Sequence, residues 1–406
     1  MWRLLPPLAP AEFQEVRLRA IFDCFKWDPQ VEDTSILADF PLILSRAAWQ
    51  EIAGLAERLA AETLAAEREL IERPELQQRL GLPKPIARLW KKPPRVLPAG
   101  DVRVIRFDFH LTADGWRISE ANSDVPGGYN EASGFSLLMR DHYPDFSLSA
   151  DPAEMLAQAI CAQVGGRGVV ALVHATAYTD DRQVMAYLER YLQRLGLQTH
   201  MIAPDHVGWN GDGNYLRTSQ KNSVGEKIDL ILRFFPAEWL PNLRSNAPWQ
   251  HFFTTFLTPA CNPTTALLTQ SKRFPLIWDA LRTPVDTWRQ LLPETADPRQ
   301  GGFPMDETWV YKPAWGRIGE GIGMRGVTSA KEWKAIQGHV KRHPEEWVIQ
   351  RRFEALPVPA ADGNQQWYPC IGVYTVNGRA AGIYGRISTT PIITSTAKDV
   401  AVLVEN

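Results

Sequence analysis

The stretch from Val102 to Glu131, VRVIRFDFHLTADGWRISEANSDVPGGYNE, decides the fold of this chain. Aromatic and β-branched residues alternate with other residues over Val102–Leu111 and again over Trp116–Asn122. Between these runs lies Ala113-Asp114-Gly115, and an Asp-Gly pair flanked by two strand-like runs is a strong hairpin signal. The stretch therefore predicts a β-hairpin that continues into a glycine-rich loop at Gly127-Gly128.

The length of the hairpin turn decides which side chains share a face of the hairpin. A two-residue loop at Asp114-Gly115 would place Asp108 and Glu120 on opposite faces, because side chains alternate along each strand. A three-residue loop over 113–115, with its glycine left-handed, places Asp108 directly opposite Glu120. We predict the three-residue loop, which gathers four polar side chains on one face: Arg106, Asp108, Glu120 and Asn122.

These four side chains are typical of a metal site. Two carboxylates and an amide oxygen beside an arginine would repel one another or stay unsatisfied without a partner. Oxygen ligands of this kind bind Mg²⁺, and phosphate oxygens complete its coordination shell. The alternative is a solvated hairpin face with an Asp/Arg pair, which contributes little to stability. The hairpin alone leaves both interpretations open.

Composition is that of an ordinary soluble protein. The 406 residues, 45% hydrophobic and 22% charged, suffice for two or three domains with buried cores. The formal charge of −2 gives no general attraction to nucleic acid or to anionic membranes. The cysteines are far apart and match no metal-ligand spacing, so neither a disulfide framework nor structural zinc is expected. Because no apolar run suits a signal peptide or a membrane span, we expect a cytoplasmic protein.

The order of predicted elements divides the chain into three regions. Residues 1–100 are expected to form a mostly helical scaffold, in which Ser45 caps a long helix over Arg46–Glu72. Residues 101–262 combine the hairpin with a β-α-β unit. Residues 263–406 form the third region, which opens with a helical pattern and then returns to strands.

A dinucleotide-binding fold is an alternative for the β-α-β unit. The unit consists of a strand over Val169–His174, a helix over Asp180–Leu195 and a strand over Thr199–Ala203. Its glycines, Gly165-Gly166 and Gly168, precede the first strand. The dinucleotide fingerprint needs glycines after that strand, where the helix opens, so their placement disfavours an oxidoreductase built on this unit.

The third region carries features that suit phosphate binding. A predicted helix over Thr265–Leu281 holds Lys272, and a strand over Thr308–Lys312 leads into the glycine-rich segment Gly316–Gly323. Because a strand follows, the glycines are expected at a hairpin tip, whereas a Walker loop would open a helix. The backbone N–H groups of such a flap can close over phosphates, with Lys312 beside them. A plain glycine-rich turn is the alternative.

Together these segments resemble the synthetase domain of glutathionylspermidine synthetases, which are ATP-grasp ligases with a circularly permuted chain order. The resemblance runs from about residue 100 to the C-terminus, and the matching phrases follow the family order. The phrases are Arg106–Phe109, Ser119–Pro126, Arg233–Trp239, Ser271-Lys272, Lys312-Pro313 with Gly316-Arg317, Ile349-Gln350, Gly382–Arg386 and Pro391–Thr394.

The resemblance implies a role at each matching position. The implied Mg²⁺ ligands are Asp108, Glu120 and Asn122. The implied contacts to ATP phosphates are Arg106, Lys272, Lys312 and the flap residues Gly316, Arg317 and Gly319. The implied adenine contacts are backbone hydrogen bonds from the hinge residues Gln350, Arg351 and Phe353, with Ile392 and Ile393 against the nucleotide. Arg106 would also meet the reacting carboxylate, and Arg386 would steady the transferring phosphoryl group; these are the implied catalytic residues.

The fold and reaction follow from the same resemblance. We expect an α/β (α+β) protein: an ATP-grasp region, a pre-ATP-grasp-like α/β domain and the N-terminal helical scaffold. The implied enzyme is a carboxylate–amine ligase that uses ATP and Mg²⁺ to join a small acid to a polyamine-like amine through an acyl phosphate. Phosphoryl transfer depends on charge neutralisation and placement, so no side-chain nucleophile is required. The alternative is a nucleotide-binding protein of the same fold without ligase turnover.

One loop departs from the family pattern. After the metal asparagine the family usually carries small hydroxyl residues that help to hold glutathione, and here these positions are Val125 and Gly127. Gly127-Gly128 leaves backbone open to a ligand, and Tyr129 is expected to add a flat apolar surface. The departure predicts an acid substrate other than glutathione, smaller or less polar.

Overall fold

A six-stranded antiparallel sheet, the central sheet, holds the hairpin in a mixed α/β fold. The computed structural model describes residues 1–31, 34–91, 100–210, 213–216, 225–301, 306–316, 321–394 and 396–406. In spatial order the central sheet comprises Lys398–Val400, Arg379–Ser388, Gln366–Val376, Val104–Thr112 and Gly115–Asn122, and Val358–Pro359 pairs with the start of the third of these strands.

The hairpin contains the predicted cross-strand pairs. Arg106 lies opposite Asn122, and Asp108 lies opposite Glu120. Arg106 and Asp108 are hydrogen-bonded to each other, and the Asn122 amide donates to Asp108, so these polar groups share one face of the sheet. The prediction of a common polar face is confirmed.

The hairpin turn, however, differs from the prediction. Thr112 pairs with Gly115, so the loop has two residues and not three, and the predicted three-residue loop is wrong. The Thr112 hydroxyl donates to the Gly115 carbonyl at 2.7 Å, and Gly115 is left-handed at φ +94°. The register shifts by one residue between Asp108 and Phe109, where Ser119 is unpaired in a β-bulge. This bulge supplies the extra residue that places Asp108 opposite Glu120.

Side-chain alternation gives the central sheet two unlike faces. The apolar face packs against a long helix, Arg46–Ile71, which begins as predicted at Ser45, whose side chain accepts from the Ala48 N–H. The buried residues of this apolar face include Ile105, Phe107, Phe109, Ile371, Val373, Ile383 and Ile387. The register places on the opposite face Arg106, Asp108, His110, Cys370, Tyr374, Tyr384 and Arg386. The site therefore lies on the polar face of this sheet.

The predicted β-α-β unit is present in a four-stranded parallel sheet. Its strands, in spatial order, are Ala260–Cys261, Leu230–Arg233, Val169–Val173 and Gln198–Ile202. Helices Pro152–Gln163 and Thr179–Arg194 share one hydrophobic core with this sheet. Gly165 and Gly166 are left-handed residues between the first helix and the strand, so they lie before the strand as predicted.

A separate four-stranded antiparallel sheet, the small sheet, contains the strand with Lys312. Its strands are Thr295–Ala296, Trp347–Arg351, Trp309–Pro313 and Gly323–Met324. Trp309, Tyr311, Trp347 and Ile349 pack on one face against the helix Ala330–Arg342. Alternation turns Lys312, Val348 and Gln350 to the other face. The strand predicted after the glycines is shorter than expected, because only Gly323 and Met324 pair.

The helix predicted over Thr265–Leu281 is wrong as a continuous element. The segment forms short 3₁₀ or α turns over Thr264–Ala266, Leu267–Gln270 and Phe274–Ala280. Ser271 is extended, and its hydroxyl donates to the Leu80 carbonyl at 2.6 Å. Pro275 has no N–H and fits only the first turn of a helix, and it lies at the start of Phe274–Ala280, a new turn separate from the one that ends at Gln270. The break frees Lys272 from a helix.

The remaining elements complete the fold. One sheet joins distant parts of the chain through Trp2–Leu4, Leu42–Leu44, Val402–Glu405 and Phe146–Ser147, and another contains Val207–Asn210, Gly213–Leu216 and Lys227–Ile228. A two-stranded ribbon pairs Gln30–Val31 with Thr34–Ser35. Further helices are Pro10–Phe22, Pro74–Gln77, Lys84–Leu89, Ser136–His142, His251–Thr254, Asp286–Leu291 and the π-helical Asn130–Phe135. Short 3₁₀ turns are Gln78–Leu80, Pro204–His206, Ala237–Asn242, Pro298–Gln300 and Pro344–Glu346. Among the described helices, none combines the length and apolarity that crossing a bilayer requires.

Candidate functional site

A forked ion pair lies at the middle of the polar face. Arg106 Nε donates to Asp108 Oδ1 at 2.7 Å and Nη2 donates to Oδ2 at 3.0 Å, while Nη1 donates to the Gly127 carbonyl at 2.8 Å. The guanidinium also lies over the Tyr384 ring, 5.0 Å from its centroid. Burial alone would lower the pKa of Arg106, but the Asp108 carboxylate outweighs it and the pKa is well above the ordinary value. Arg106 is therefore a permanently charged, fixed group.

A glycine in the neighbouring strand makes room for this pair. Gly372 lies directly opposite Asp108 on the adjacent strand. A Cβ atom there would be 2.6 Å from Arg106 Cδ and 3.0 Å from Asp108 Oδ1. Because real Cβ contacts are longer, any side chain at this position would displace the forked pair. Sequence reasoning did not select Gly372, although a glycine inside a strand indicates such a close approach.

Two lysines converge on Glu120 from outside the central sheet. Lys272 Nζ lies 2.9 Å from Glu120 Oε2 and donates to the Gly316 carbonyl at 2.7 Å. Lys312 Nζ donates to Gln350 Oε1 at 2.7 Å and to the carbonyl of the bulge residue Ser119 at 3.0 Å. The small sheet and the broken helix thus bring both predicted phosphate lysines to the predicted metal carboxylate.

The pKa values in the cluster formed by Glu120, Lys272 and Lys312 reflect both burial and charge. Burial would raise the pKa of Glu120, but Lys272 and Lys312 hold it at about 2. Burial lowers the pKa of Lys312 to about 8, and the nearby Glu120 only partly opposes this shift. Glu120 pairs with Lys272 and lies near Lys312, so two lysines surround one glutamate in a partly dehydrated space and a further anion such as phosphate would be stabilised there.

A pocket opens beside the lysines. It has a volume of about 370 Å³, including its open mouth. Its apolar wall comprises Phe274, Pro275, Trp288, Leu292 and Val348. Its polar end comprises Glu120, Lys272, Lys312 and Gln350. A flat apolar group with a negatively charged tail matches this distribution of walls.

The three predicted metal ligands are close neighbours with chemistry that fits Mg²⁺. Asn122 Nδ2 donates to Asp108 Oδ2 at 3.1 Å, and Glu120 is the cross-strand partner of Asp108. Carboxylate and amide oxygens are hard donors of the kind that Mg²⁺ prefers. In this structure Arg106 and Lys272 neutralise the two carboxylates, so an ion would replace part of that neutralisation.

Arg386 and the segment after it lie on the same polar face. Its Nη2 donates to the Thr394 carbonyl at 2.7 Å, and its Nε lies 3.9 Å from Asp399 Oδ1. Burial would lower the pKa of Arg386, but Tyr384 and Asp399 raise it above the ordinary value. The contact with Thr394 holds the segment that contains Ile392 and Ile393 beside Arg386. Ile392 is 9% exposed, so little of its side chain is open to a ligand.

The predicted hinge residues divide between two directions. Gln350 reaches the site with its side chain, since Oε1 accepts from Lys312 and Nε2 donates to Thr295 Oγ1 at 3.1 Å. The Arg351 guanidinium lies over Trp309, 4.0 Å from the ring centroid, and its N–H donates to the Glu294 carbonyl. In this structure the backbone N–H of Arg351 is therefore paired within the small sheet, and its side chain lies away from Lys272 and Lys312.

The remaining predicted nucleotide contacts are Phe353 and the flap residues Gly316, Arg317 and Gly319. The Phe353 ring packs at 5.2 Å from the His110 ring, at the edge of the polar face. The Gly316 carbonyl accepts from Lys272, which places the start of the flap at the cluster. Arg317 and Gly319 lie outside the described residues.

The loop after Asn122 does not offer the predicted aromatic surface. Tyr129 is 1% exposed and packs against Tyr374 with ring centroids 5.1 Å apart, so the expectation of a ligand-facing ring is wrong. Gly128 is left-handed, and a Cβ there would be 3.0 Å from both Tyr374 and Tyr384. The Gly127 carbonyl accepts from Arg106 and from the Tyr374 hydroxyl. Tight packing against Tyr374 and Tyr384 therefore explains Gly128, whereas a Cβ at Gly127 would meet only Phe234, at 3.4 Å.

Residues far away in the chain fix this loop. Gln270 Oε1 accepts from the N–H groups of Ser123 and Asp124 at 2.8 and 2.9 Å. Asn262 Nδ2 donates to the carbonyls of the same two residues, and Arg233 forms a buried ion pair with Asp124. Sequence reasoning missed Gln270 and Asn262, because no local pattern indicates partners more than 130 residues apart.

His110 is a further missed residue of the polar face. Its Nε2 lies 3.1 Å from Ser119 Oγ, and burial together with Lys312 lowers its pKa to about 4. The imidazole is therefore neutral near pH 7. Strand alternation could have found it, since it lies two residues after Asp108.

Comparison with known proteins places this geometry in a family. The family model described as glutathionylspermidine synthase preATP-grasp matches residues 19–405, nearly the whole chain. No match was found among curated proteins. The solved structure of a glutathione synthetase-like effector from Globodera pallida shares the fold with a TM-score of 0.65, at 11% identity over 98% of both chains. A putative γ-glutamylcysteine synthetase from Methylobacillus flagellatus KT has a TM-score of 0.43 at 11% identity, over 83% of this chain and 86% of its own. The chain belongs to the glutathionylspermidine synthase preATP-grasp family.

Proposed function

We propose that this protein is an ATP-dependent carboxylate–amine ligase. The observation that carries the proposal is the convergence of Lys272 and Lys312 on Glu120, next to the Arg106–Asp108 pair and beside an apolar pocket. Family and fold point to a glutathionylspermidine synthase-like ATP-grasp ligase. The region 263–406 would bind the nucleotide, and the hairpin of region 101–262 would supply the acidic groups.

The nucleotide would use both ends of the pocket. Its adenine would lie against Phe274, Trp288 and Val348, with its phosphates at Lys272 and Lys312. The ammonium groups would then exchange their bonds to Glu120, Gln350 and backbone carbonyls for bonds to phosphate oxygens. Asp108, Glu120 and Asn122 would hold Mg²⁺, which when bound neutralises phosphate charge. Gly316 and the flap after it would cover the phosphates.

The reaction would proceed by two displacements. A substrate carboxylate oxygen attacks the γ-phosphorus of ATP, and the bond to the β-phosphate oxygen breaks. ADP departs, and the substrate is now an acyl phosphate. A neutral amine nitrogen then attacks the acyl carbon; phosphate departs, the amine proton is released, and an amide forms. Arg106 would orient the carboxylate, since hydrogen bonds to Asp108 and to the Gly127 carbonyl fix the position of its guanidinium. Arg386 would stabilise charge on the transferring phosphoryl group.

The acid substrate is proposed to differ from glutathione. Val125 and Gly127 offer no hydroxyl to a peptide ligand, and the Gly127 carbonyl is already bonded to Arg106 and Tyr374. Buried polar groups of a peptide would lack partners there, which costs about 1–3 kcal/mol for each group. We therefore propose a smaller or less polar acid, joined to a primary amine of the polyamine class.

Release of ADP from ATP and Mg²⁺ tests the proposal. A panel of carboxylic acids combined with spermidine and with simpler amines should include at least one pair that raises ADP release well above the rate with either substrate alone. ATP binding without stimulation by any pair would favour the alternative, a nucleotide-binding protein without turnover. Glutathione with spermidine is included in the panel, and efficient turnover of that pair would refute the substrate proposal while supporting the ligase.

A further inference from the structure

A second pocket lies at one edge of the parallel sheet, away from the lysine cluster. It has a volume of about 330 Å³, including its mouth, and is lined in part by Trp209, Asn214, Arg233, Phe252 and Pro263. Arg233 ends one sheet strand, while Trp209 and Asn214 are a cross-strand pair of the neighbouring antiparallel hairpin. Cross-strand partners share a face, so the indole and the amide both turn towards the pocket.

Three N–H donors in this pocket lack an acceptor. They are Trp209 Nε1, Asn214 Nδ2 and Arg233 Nε, each buried and without a hydrogen-bond partner within the part of the chain that the structure describes. Asn214 is 1% exposed and Arg233 is 3% exposed. A buried donor without a partner costs about 1–3 kcal/mol, so three such donors around one space indicate a missing group that accepts hydrogen bonds.

The charge around the pocket limits what this group can be. Arg233 already forms an ion pair with the fully buried Asp124, and its Nη1 donates to the Phe235 carbonyl at 2.7 Å. No Asp or Glu lines the pocket among the described residues. A dianionic phosphate would add two charges beside the Asp124 carboxylate without a matching cation. A carboxylate or a neutral carboxamide supplies acceptor oxygens at a smaller electrostatic cost.

The shape of the walls indicates the rest of the ligand. Trp209 and Phe252 meet edge to face with ring centroids 4.9 Å apart, and both line the pocket. Ile231, Ala260 and Pro263 add further apolar surface. The lining therefore combines these apolar walls with the three donors and with the polar residues Thr255, Thr258, Asn262 and Thr264. Such a lining suits a flat apolar body that carries one polar group.

We propose that the second pocket binds a small molecule through a planar acceptor group, a carboxylate or a carboxamide, with an apolar body against Trp209 and Phe252. The site stands apart from the proposed ligase chemistry and does not depend on it. Its ligand would touch the guanidinium that holds Asp124, and Asp124 belongs to the loop that follows the metal asparagine. Occupancy would thus bear on that loop through a single ion pair.

Benzoate and benzamide are suitable probes, and benzylamine, which presents an ammonium donor and no acceptor, is the control ligand. The 406-residue protein with ¹⁵N-labelled tryptophan is titrated with each ligand, and the Trp209 indole resonance is assigned as the one lost in Trp209→Phe. We expect a saturable shift of this resonance with benzoate or benzamide and none with benzylamine. The tighter of the two probes identifies the acceptor as charged or neutral.

Two substitutions locate the binding site. Asn214→Leu removes one unpaired donor, so affinity should fall about tenfold. Trp278→Phe is the matched control: its indole N–H is also buried without a partner among the described residues, but Trp278 lines neither pocket. Affinity should be unchanged in this variant. A lack of saturable shift with both probes, an equal response to benzylamine, or full affinity in Asn214→Leu would each overturn the proposal; in the first case ordered water would satisfy the donors.

Discussion

Gly372→Ala should damage the candidate site without replacing any side chain that acts on a substrate. The new methyl carbon would be 2.6 Å from Arg106 Cδ and 2.8 Å from Arg106 Nε. Ordinary contacts between such atoms are about 3.5–4.0 Å, so Arg106 would have to move by about 1 Å. Its two hydrogen bonds to Asp108, at 2.7 and 3.0 Å, do not survive such a movement intact.

The expected cost has a stability part and an activity part. Overpacking of this kind typically costs about 1–3 kcal/mol in the free energy of unfolding. Displacement of Arg106 should also lower the rate of ADP release at least tenfold, because a misplacement of about 1 Å can cost about a hundredfold in rate. Urea unfolding followed by tryptophan fluorescence measures the first quantity, and a coupled ADP assay with a productive acid–amine pair measures the second.

Gly54→Ala is the matched control for this change. Gly54 lies within the helix Arg46–Ile71, where a Cβ would meet only Arg58 Nη1 at 3.6 Å, an ordinary contact. Alanine there should raise the free energy of unfolding by about 0.5–1 kcal/mol and leave the rate unchanged. If Gly372→Ala unfolds and turns over like the wild type, the close approach of Arg106 to this strand has no role, and the reasoning fails.

Three further predictions concern single titratable side chains. Lys312→Met should raise the Michaelis constant for ATP, whereas Lys331→Met, at an exposed position, should not. Because the pKa of Lys312 is about 8, the affinity for ATP measured by calorimetry should also fall as the pH rises through that value. Arg386→Ala should lower kcat, by about 10³-fold or more if its charge acts mainly in the transition state, with little change in the ATP Michaelis constant, and an equal change in both would contradict this role. The pKa of His110 falls from 6.5 to about 4 on folding, so the unfolded state binds more protons in that interval and stability should be lost as the pH falls through it, by about 3 kcal/mol in all; His110→Gln should flatten this part of the curve of unfolding free energy against pH.

Among the sequence patterns, the alternation of side chains along strands predicted the site best. It placed Asp108 opposite Glu120, and the structure contains that pair. It could not distinguish an extra residue in the turn from an extra residue in a bulge, because both shift the pairing beyond them by the same amount. The bulge at Ser119 depends on contacts with His110 and Lys312, and the second of these lies far away in the chain.

Long-range contacts also explain what sequence patterns missed elsewhere. Helical spacing over Thr265–Leu281 indicated one helix, but the chain breaks at Ser271, whose hydroxyl donates to the Leu80 carbonyl, and a new turn starts at Phe274. The loop after Asn122 looked open because of its glycines, yet its neighbours Tyr374 and Tyr384 come from strands some 250 residues later. Local composition reports which conformations a segment tolerates, and only packing partners decide which one it adopts.

The bulge at Ser119 separates the architecture of the hairpin from its chemistry. The pairs on either side of it, Asp108 with Glu120 and Phe109 with Ile118, would meet directly in a regular ladder if this single residue were deleted. Chain shortening at this position is therefore neutral for the register and for the order of strands, while it removes the carbonyl that Lys312 contacts. A descendant of this chain could lose one codon here, keep its fold and its acidic pair, and yet present a lysine with a different affinity for phosphate.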